Sequence, residues 1–200
     1  GTTLLHTPDG PMPIEVFGQH NLNNLAGAKW ICQNMGVDED DFYEAIATFK
    51  GASKRLEKLA ESSDYVAFKD FAHSPSKVAA TTRAVKEQYP DRRMVACLEL
   101  HTYSSFNPEF LKEYRGALDA ADEAIVFYLP ESVAIKKLDP VSPEQIREAF
   151  QRSDLRIFTN SSDFHKFILE QDFIDKVLLL MSSGNYGGLD LEELKRRIAP

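Results

Sequence analysis

The sequence predicts an α/β fold, a mostly parallel sheet with helices on both faces. Three observations carry this. From about residue 56 onward, strand-like and helix-like segments alternate. The strand-like segments, such as 94–100 and 176–181, are near-continuous apolar runs, the pattern of strands buried on both faces. With 43% hydrophobic and 10% aromatic residues among 200, the chain can bury a substantial core.

Taken in order, segments 4–6 and 12–16 flank the turn signal Pro8-Asp9-Gly10 and predict a hairpin. A helix is expected over 22–35, with Leu22, Leu25, Ala26, Ala28 and Ile31 at spacings near three and four, ended by Gly36. A second helix covers 40–47, its first turn acidic as the helix dipole prefers. From Arg55 the pattern changes. Segments 55–61 and 65–71 read as strands around Ser62-Ser63-Asp64. Strands are then expected at 94–100, 123–129, 155–158 and 176–181, and helices at 75–89, 108–120, 143–151, 162–170 and 189–198. Residues 56–200 make one Rossmann-like domain. Residues 1–55 are too few to fold alone and read as the tail of another domain.

Composition narrows the function. The net charge is −8 with no basic tract, which argues against sequence-independent nucleic-acid binding. No apolar run approaches the roughly 20 residues that span a bilayer, and no secretory signal is visible. Cys32 and Cys97 lie in apolar surroundings and read as reduced core thiols of a cytoplasmic protein. The five histidines lack metal-ligand spacing, so no metal site is expected from this chain.

The candidate sites lie where strands end. Asp70-Phe-Ala-His73-Ser-Pro75 places a carboxylate and an imidazole at a strand's C-terminal edge beside a helix N-terminus. Open α/β sheets bind ligands there, and a helix N-terminus favours anions. Ser74 as N-cap and Pro75 at the first helical position account for the same residues as a plain helix start. Asn21 and Asn24, three apart on one helix face, can reach one ligand, with His20 beside them; N-capping by Asn21 is the competing reading. Arg55 follows Phe49-Lys-Gly51 among Lys50, Lys54 and Lys58, and its planar fork suits phosphate. Two polar runs end strands: Glu99-Leu-His101, Thr102, Tyr103, Ser104 and Ser105, and Ser182, Ser183, Gly184, Asn185, Tyr186, Gly187 and Gly188. The glycines of the second permit positive φ, and its N–H groups can cradle an anion. No Gly-x-x-x-x-Gly-Lys-Ser/Thr motif occurs, so any nucleotide role here is partial.

In this order, Gly18-x-His20-Asn21-x-x-Asn24, Phe49-x-Gly51-x-x-x-Arg55-x-Glu57, Asp70-Phe-Ala-His73-x-Pro75 and the last loop resemble the Mur ligase family over nearly the whole chain. The resemblance implies ATP-dependent cytoplasmic ligases of peptidoglycan precursors, with a UDP-sugar domain, a central ATPase domain and a C-terminal Rossmann-like domain. Residues 1–55 would be a small α+β remnant of the central domain, and 56–200 the C-terminal domain, the remaining domains being absent. The loop Met181-Ser-Ser-Gly-Asn-Tyr-Gly-Gly188 is most similar to members that join UDP-N-acetylmuramate to a recycled murein tripeptide. Three departures stand out. The loop 101–105 has no Arg, Ser74 replaces a second His, and the Asp-Asn-Pro-Arg motif of diaminopimelate-adding members is absent. By matching motif, His20, Asn21 and Asn24 would lie near adenine, Arg55 near the ATP phosphates and Asp70 on the ribose, with His73 lining the cleft. Arg55 and His73 would be the catalytic pair. His101, Thr102, Ser104 and Ser105, with Ser182 to Asn185, would face the incoming peptide. Mg²⁺ would be held mainly by residues outside this chain. The family's chemistry is phosphorylation of a carboxylate by ATP, then attack of the amine on the acyl phosphate.

Overall fold

The computed structural model describes residues 2–199. The chain opens with the expected hairpin, β1 (Thr3–Thr7) and β2 (Gly10–Ile14), antiparallel around Pro8-Asp9. Two helices follow, α1 (Gln19–Asn34) and α2 (Glu39–Ala47). The first begins three residues before the position its apolar spacing indicates, because Gly18 at φ 86° turns the chain into it. Its apolar residues mostly face outward: Leu25 alone is buried, while Trp30, Ile31 and Met35 are exposed. The acidic first turn of α2 is capped by Asp38, whose side chain accepts from the Asp41 N–H.

The main body is a six-stranded sheet. It contains β3 (Glu57–Glu61), β4 (Tyr65–Asp70), β5 (Arg93–Glu99), β6 (Glu123–Phe127), β7 (Arg156–Phe158) and β8 (Lys176–Met181). The order is β3-β4-β8-β5-β6-β7, with only β3 antiparallel to its neighbour. The last strand is thus inserted between β4 and β5. Side-chain alternation divides the core in two. Val66, Phe68, Met94, Ala96, Leu98, Val177 and Leu179 pack on one face against α3 (Pro75–Gln88), α4 (Pro108–Leu111) and α6 (Pro143–Phe150). Tyr65, Ala67, Val95, Cys97, Leu178 and Leu180 pack on the other against α7 (Ser161–Leu169) and α8 (Leu191–Ile198). Both faces are covered, as the continuous apolar strands require.

Two elements differ from expectation. The helix expected over 108–120 is a single turn, α4, continued by a 3₁₀ turn at Lys112–Tyr114. Gly116 at φ 72° then breaks it, a backbone state that helices do not use. A short helix, α5 (Pro130–Ile135), occupies a stretch with no expected element, with Pro130 in its first turn. Cys32 and Cys97 are both free thiols. No helix of the described residues is long and apolar enough to cross a membrane.

Candidate functional site

The strand order decides where the site falls. The connections leaving β4 and β5 run over one face and the connection leaving β8 runs over the other. Adjacent strands whose exits diverge open a crevice at their C-terminal ends. Two clusters of polar side chains sit along that edge.

The first is a cleft of about 620 Å³ between α1–α2 and the start of α3. His20, Asn21, Asn24, Arg55 and Asp70 all line it, together with Lys50, Gly51, Lys77 and the apolar Phe17, Leu25, Ile46 and Phe49. Five expected site residues, far apart in sequence, are therefore brought together. The cleft joins apolar walls to Lys50, Arg55 and Lys77, a set that suits a flat ring system bearing an anionic tail.

Each member is held by identifiable contacts. Asp70 ends β4 and is 5% exposed. Its Oδ1 accepts from the Ala72 N–H at 2.6 Å and its Oδ2 from the Leu56 N–H at 2.7 Å. The Phe71 N–H donates to the Lys54 carbonyl, so the segment bearing Arg55 is stitched to the strand end. This junction is tightly wound, with Lys54 at φ 58° and Leu56 at φ 47°. The Arg55 guanidinium lies over the Phe71 ring, 5.7 Å from its centroid. Asn21 sits inside the first turn of α1, its amide donating to the Phe17 carbonyl at 3.0 Å. Gly18 lets His20 approach: a Cβ there would meet Ala84 Cβ at 2.6 Å and His20 Cε1 at 3.2 Å. Burial lowers the His20 pKa from its usual 6.5, and the Asp70 charge partly opposes this.

His73 does not line this cleft, contrary to the expectation. Its Nδ1 lies 2.8 Å from the Phe71 carbonyl and its ring packs edge-on against Phe71. Its own carbonyl accepts from the Tyr114 hydroxyl. His73 fixes the turn between β4 and α3. Ser74 is the N-cap of α3, but its side chain makes no capping bond.

The second cluster lies at the ends of β5 and β8, where the 101–105 and 182–185 loops meet. Its centre is Glu99, which heads the polar run marked in the sequence but is not among the residues expected to face the peptide. This carboxylate is 4% exposed. Its Oε2 accepts from the Ser182 hydroxyl and from the Tyr186 N–H at 2.9 Å, and His101 Nδ1 stands 3.9 Å from its Oε1. The Gly184 N–H donates to Ser182 Oγ at 2.6 Å. Two N–H groups of the last loop are therefore directed at the chain's own Glu99–Ser182 pair, and the anion nest expected for an external carboxylate is filled there from within. Gly184 is not at positive φ. It is needed because a Cβ would come within 2.7 Å of Glu99 Oε2 and 3.1 Å of His101 Cγ. Positive φ falls instead at Tyr186, Gly187 and Gly188.

Tyr186 anchors this loop. Its hydroxyl reaches the Met181 and Cys97 carbonyls at 2.7 and 2.8 Å, and its ring stacks on Phe164 at 5.3 Å. Burial pushes its phenol pKa well up, so it remains a donor. His165 Nε2 holds the Tyr186 carbonyl at 2.7 Å. Of the remaining expected residues, Ser104 and Asn185 are exposed, and Thr102, Ser183 and His101 are half-buried. Ser105 faces inward: it is 1% exposed and its hydroxyl donates to the Thr102 carbonyl, closing the turn. The one cue for Glu99 is its place at the end of an apolar strand; its partners lie more than eighty residues away.

The fold defines an α/β domain with a cleft at the C-terminal edge of a mostly parallel sheet. The chain belongs to the Mur ligase family: residues 54–184 match the family model described as "Mur ligase, glutamate ligase domain". It is 29% identical over 198 residues to a UDP-N-acetylmuramate–L-alanine ligase of Gloeothece citriformis, covering 95% of this chain and 39% of that protein. It is 34% identical over 115 residues to the enzyme of that name from Lactococcus lactis subsp. cremoris, covering 56% and 25%. The chain thus spans well under half the length of these curated relatives. Among solved structures it resembles the UDP-N-acetylmuramate–alanine ligase of Thermotoga maritima, with TM-score 0.67 and 17% identity over 94% of this chain and 39% of that one. It also resembles a murein peptide ligase of Psychrobacter arcticus, with TM-score 0.63 and 22% identity over 96% and 39%.

Proposed function

We propose that this chain is the C-terminal part of an ATP-dependent, cytoplasmic, amide-forming ligase of peptidoglycan precursors. Residues 1–55 close its central ATPase domain and residues 56–200 form its C-terminal domain. The reaction joins the carboxylate of UDP-N-acetylmuramate to the amine of a recycled murein tripeptide, as in a murein peptide ligase. The observation that carries the reading is the convergence of Asn21, Asn24, Arg55 and Asp70 on one cleft at the domain junction.

In this reading Asn21 and Asn24 meet the adenine edge and Asp70 the ribose, while Arg55, with Lys50 and Lys77 behind it, neutralises phosphate charge. Phosphoryl transfer depends on such positioning and charge neutralisation. The described residues contain no cluster of three His, Cys, Asp or Glu side chains able to hold a metal ion. In this reading Mg²⁺ is held mainly by residues outside this chain.

A second reading keeps the reaction and changes the amine to L-alanine, and the relatives named for that activity favour it. The deciding experiment is ADP release by the full-length protein with UDP-N-acetylmuramate and tripeptide, L-alanine or D-glutamate in turn. Fastest turnover with tripeptide is expected. Preference for L-alanine establishes the second reading, and no ADP with any amine rejects both.

A further inference from the structure

We infer that Glu57 is a positioning residue for Arg55: its carboxylate holds the turn that aims the Arg55 guanidinium into the cleft. This rests on the nucleotide reading above and says what keeps its phosphate-facing cation in place.

Arg55 is exposed and lines the cleft. Among the described residues its guanidinium forms no ion pair and no hydrogen bond with another side chain. It rests on the Phe71 ring, 5.7 Å from the centroid. The face of a ring fixes a distance but little direction. The aim of the side chain is therefore set by the backbone that carries it.

That backbone is unusual. Both neighbours of Arg55 are left-handed although neither is glycine, with Lys54 at φ 58° and Leu56 at φ 47°. Residues with a Cβ take this region at a cost, and it persists where surrounding contacts enforce it. Each of the two has its N–H held by a carboxylate. Leu56 donates to Asp70 Oδ2 at 2.7 Å, and Lys54 donates to Glu57 Oε2 at 2.8 Å. The same Glu57 oxygen accepts from the Ser53 hydroxyl at 3.4 Å. The Arg55 N–H donates to the Ala52 carbonyl at 3.0 Å.

The two carboxylates stand in different places. Asp70 lines the cleft, whereas Glu57 lies outside its lining. Glu57 opens β3, where its backbone is in register with Lys69 of β4. The sheet edge thus anchors a carboxylate that reaches back three residues onto the turn. Without that acceptor Lys54 is free to leave the left-handed region, and Arg55 swings off Phe71. A mobile arginine must then be ordered by the ligand at the ligand's expense in affinity. Because Glu57 lies outside the cleft, its effect on a ligand passes through Arg55.

The test uses the full-length protein and a non-hydrolysable ATP analogue titrated by calorimetry. Glu57→Ala should raise the Kd about tenfold, the effect of losing one hydrogen bond to a charged group. The melting temperature and the KM for the amino substrate should stay near wild type. In Glu57→Gln the amide oxygen still accepts from Lys54 and Ser53, so this variant should restore most of the affinity. In an Arg55→Ala background, Glu57→Ala should cost nothing further, because residues acting through one contact are not additive. An unchanged Kd in Glu57→Ala, with or without a lower melting temperature, overturns the inference. Binding by Glu57→Gln as weak as that of Glu57→Ala overturns it too, as does an undiminished loss in the Arg55→Ala background. Wild type that does not bind the analogue, or binds it equally well after Arg55→Ala, would reject the nucleotide reading itself and the inference with it.

Discussion

The Asp70 carboxylate, at the end of β4, receives the backbone N–H of Leu56 at 2.7 Å. One side chain thereby ties the segment bearing Arg55 to the sheet edge. Asp70 is a structural clasp first, whatever it offers a ligand. Asp70→Ala should leave the Leu56 and Ala72 N–H groups buried and unsatisfied, at a cost of about 1–3 kcal/mol each before relaxation. Chemical denaturation should show that loss, and the full-length enzyme should show an ATP KM raised more than the amine KM. Wild-type stability with a raised ATP KM would mean ribose contact without the clasp.

Two glycines of the last loop should behave differently. Gly184→Ala forces a methyl group against Glu99 Oε2 and His101, so the amine KM should rise, with an overpacking cost of about 1–3 kcal/mol. Gly187 is at φ 63°, and its Cβ would meet Ser161 Oγ at 2.3 Å. Gly187→Ala should therefore lower the melting temperature, with the amine KM of the surviving protein near wild type. Equal effects on KM from both would undo the distinction.

His20 sets a pH dependence. Its pKa in the folded protein lies below the usual 6.5 because burial disfavours the charged ring. A histidine depressed in this way binds fewer protons folded than unfolded. Its contribution to stability is therefore complete above about pH 6.5 and declines as pH falls through the lower folded value. The melting-temperature difference between wild type and His20→Asn should be larger at pH 7.5 than at pH 5. A pH-independent difference would place His20 in solvent.

The isolated 200-residue chain should neither hydrolyse ATP nor form an amide, because no Gly-x-x-x-x-Gly-Lys-Ser/Thr loop occurs in it. ADP release by this chain in the presence of UDP-N-acetylmuramate would show that it holds a phosphate site of another kind.

Much of this architecture is legible in the residues. The strand 176–181 is legible to the residue, because an unbroken apolar run between Asp175 and Ser182 permits little else. The β4–α3 edge is legible through Pro75, which fixes the helix start. The insertion of β8 between β4 and β5 is not, since parallel pairing joins segments far apart in the chain and leaves no local mark. The spacing of α1 marks Ile31 as apolar-faced, yet Ile31 lies exposed, because helical spacing records an apolar face without naming what covers it. Asn21, Asn24, Arg55 and Asp70 stand in the sequence as separate motifs, and the fold draws them into one cleft. Glu99 stands in the sequence as the head of a polar run, but its place at the centre of the second cluster is not legible until Ser182 and Tyr186 are folded onto it.

Central to the proposed function is a nucleotide held in the cleft between α1 and the sheet edge, with Arg55 on its phosphates. The most direct test is the ATP KM of the full-length enzyme carrying Arg55→Ala. Loss of one charge-assisted contact of about 1.5–3 kcal/mol corresponds to a rise of about ten- to a hundred-fold. The expected result is that rise with the amine KM within about twofold of wild type. An ATP KM unchanged by Arg55→Ala would contradict the proposal and take the nucleotide out of this cleft.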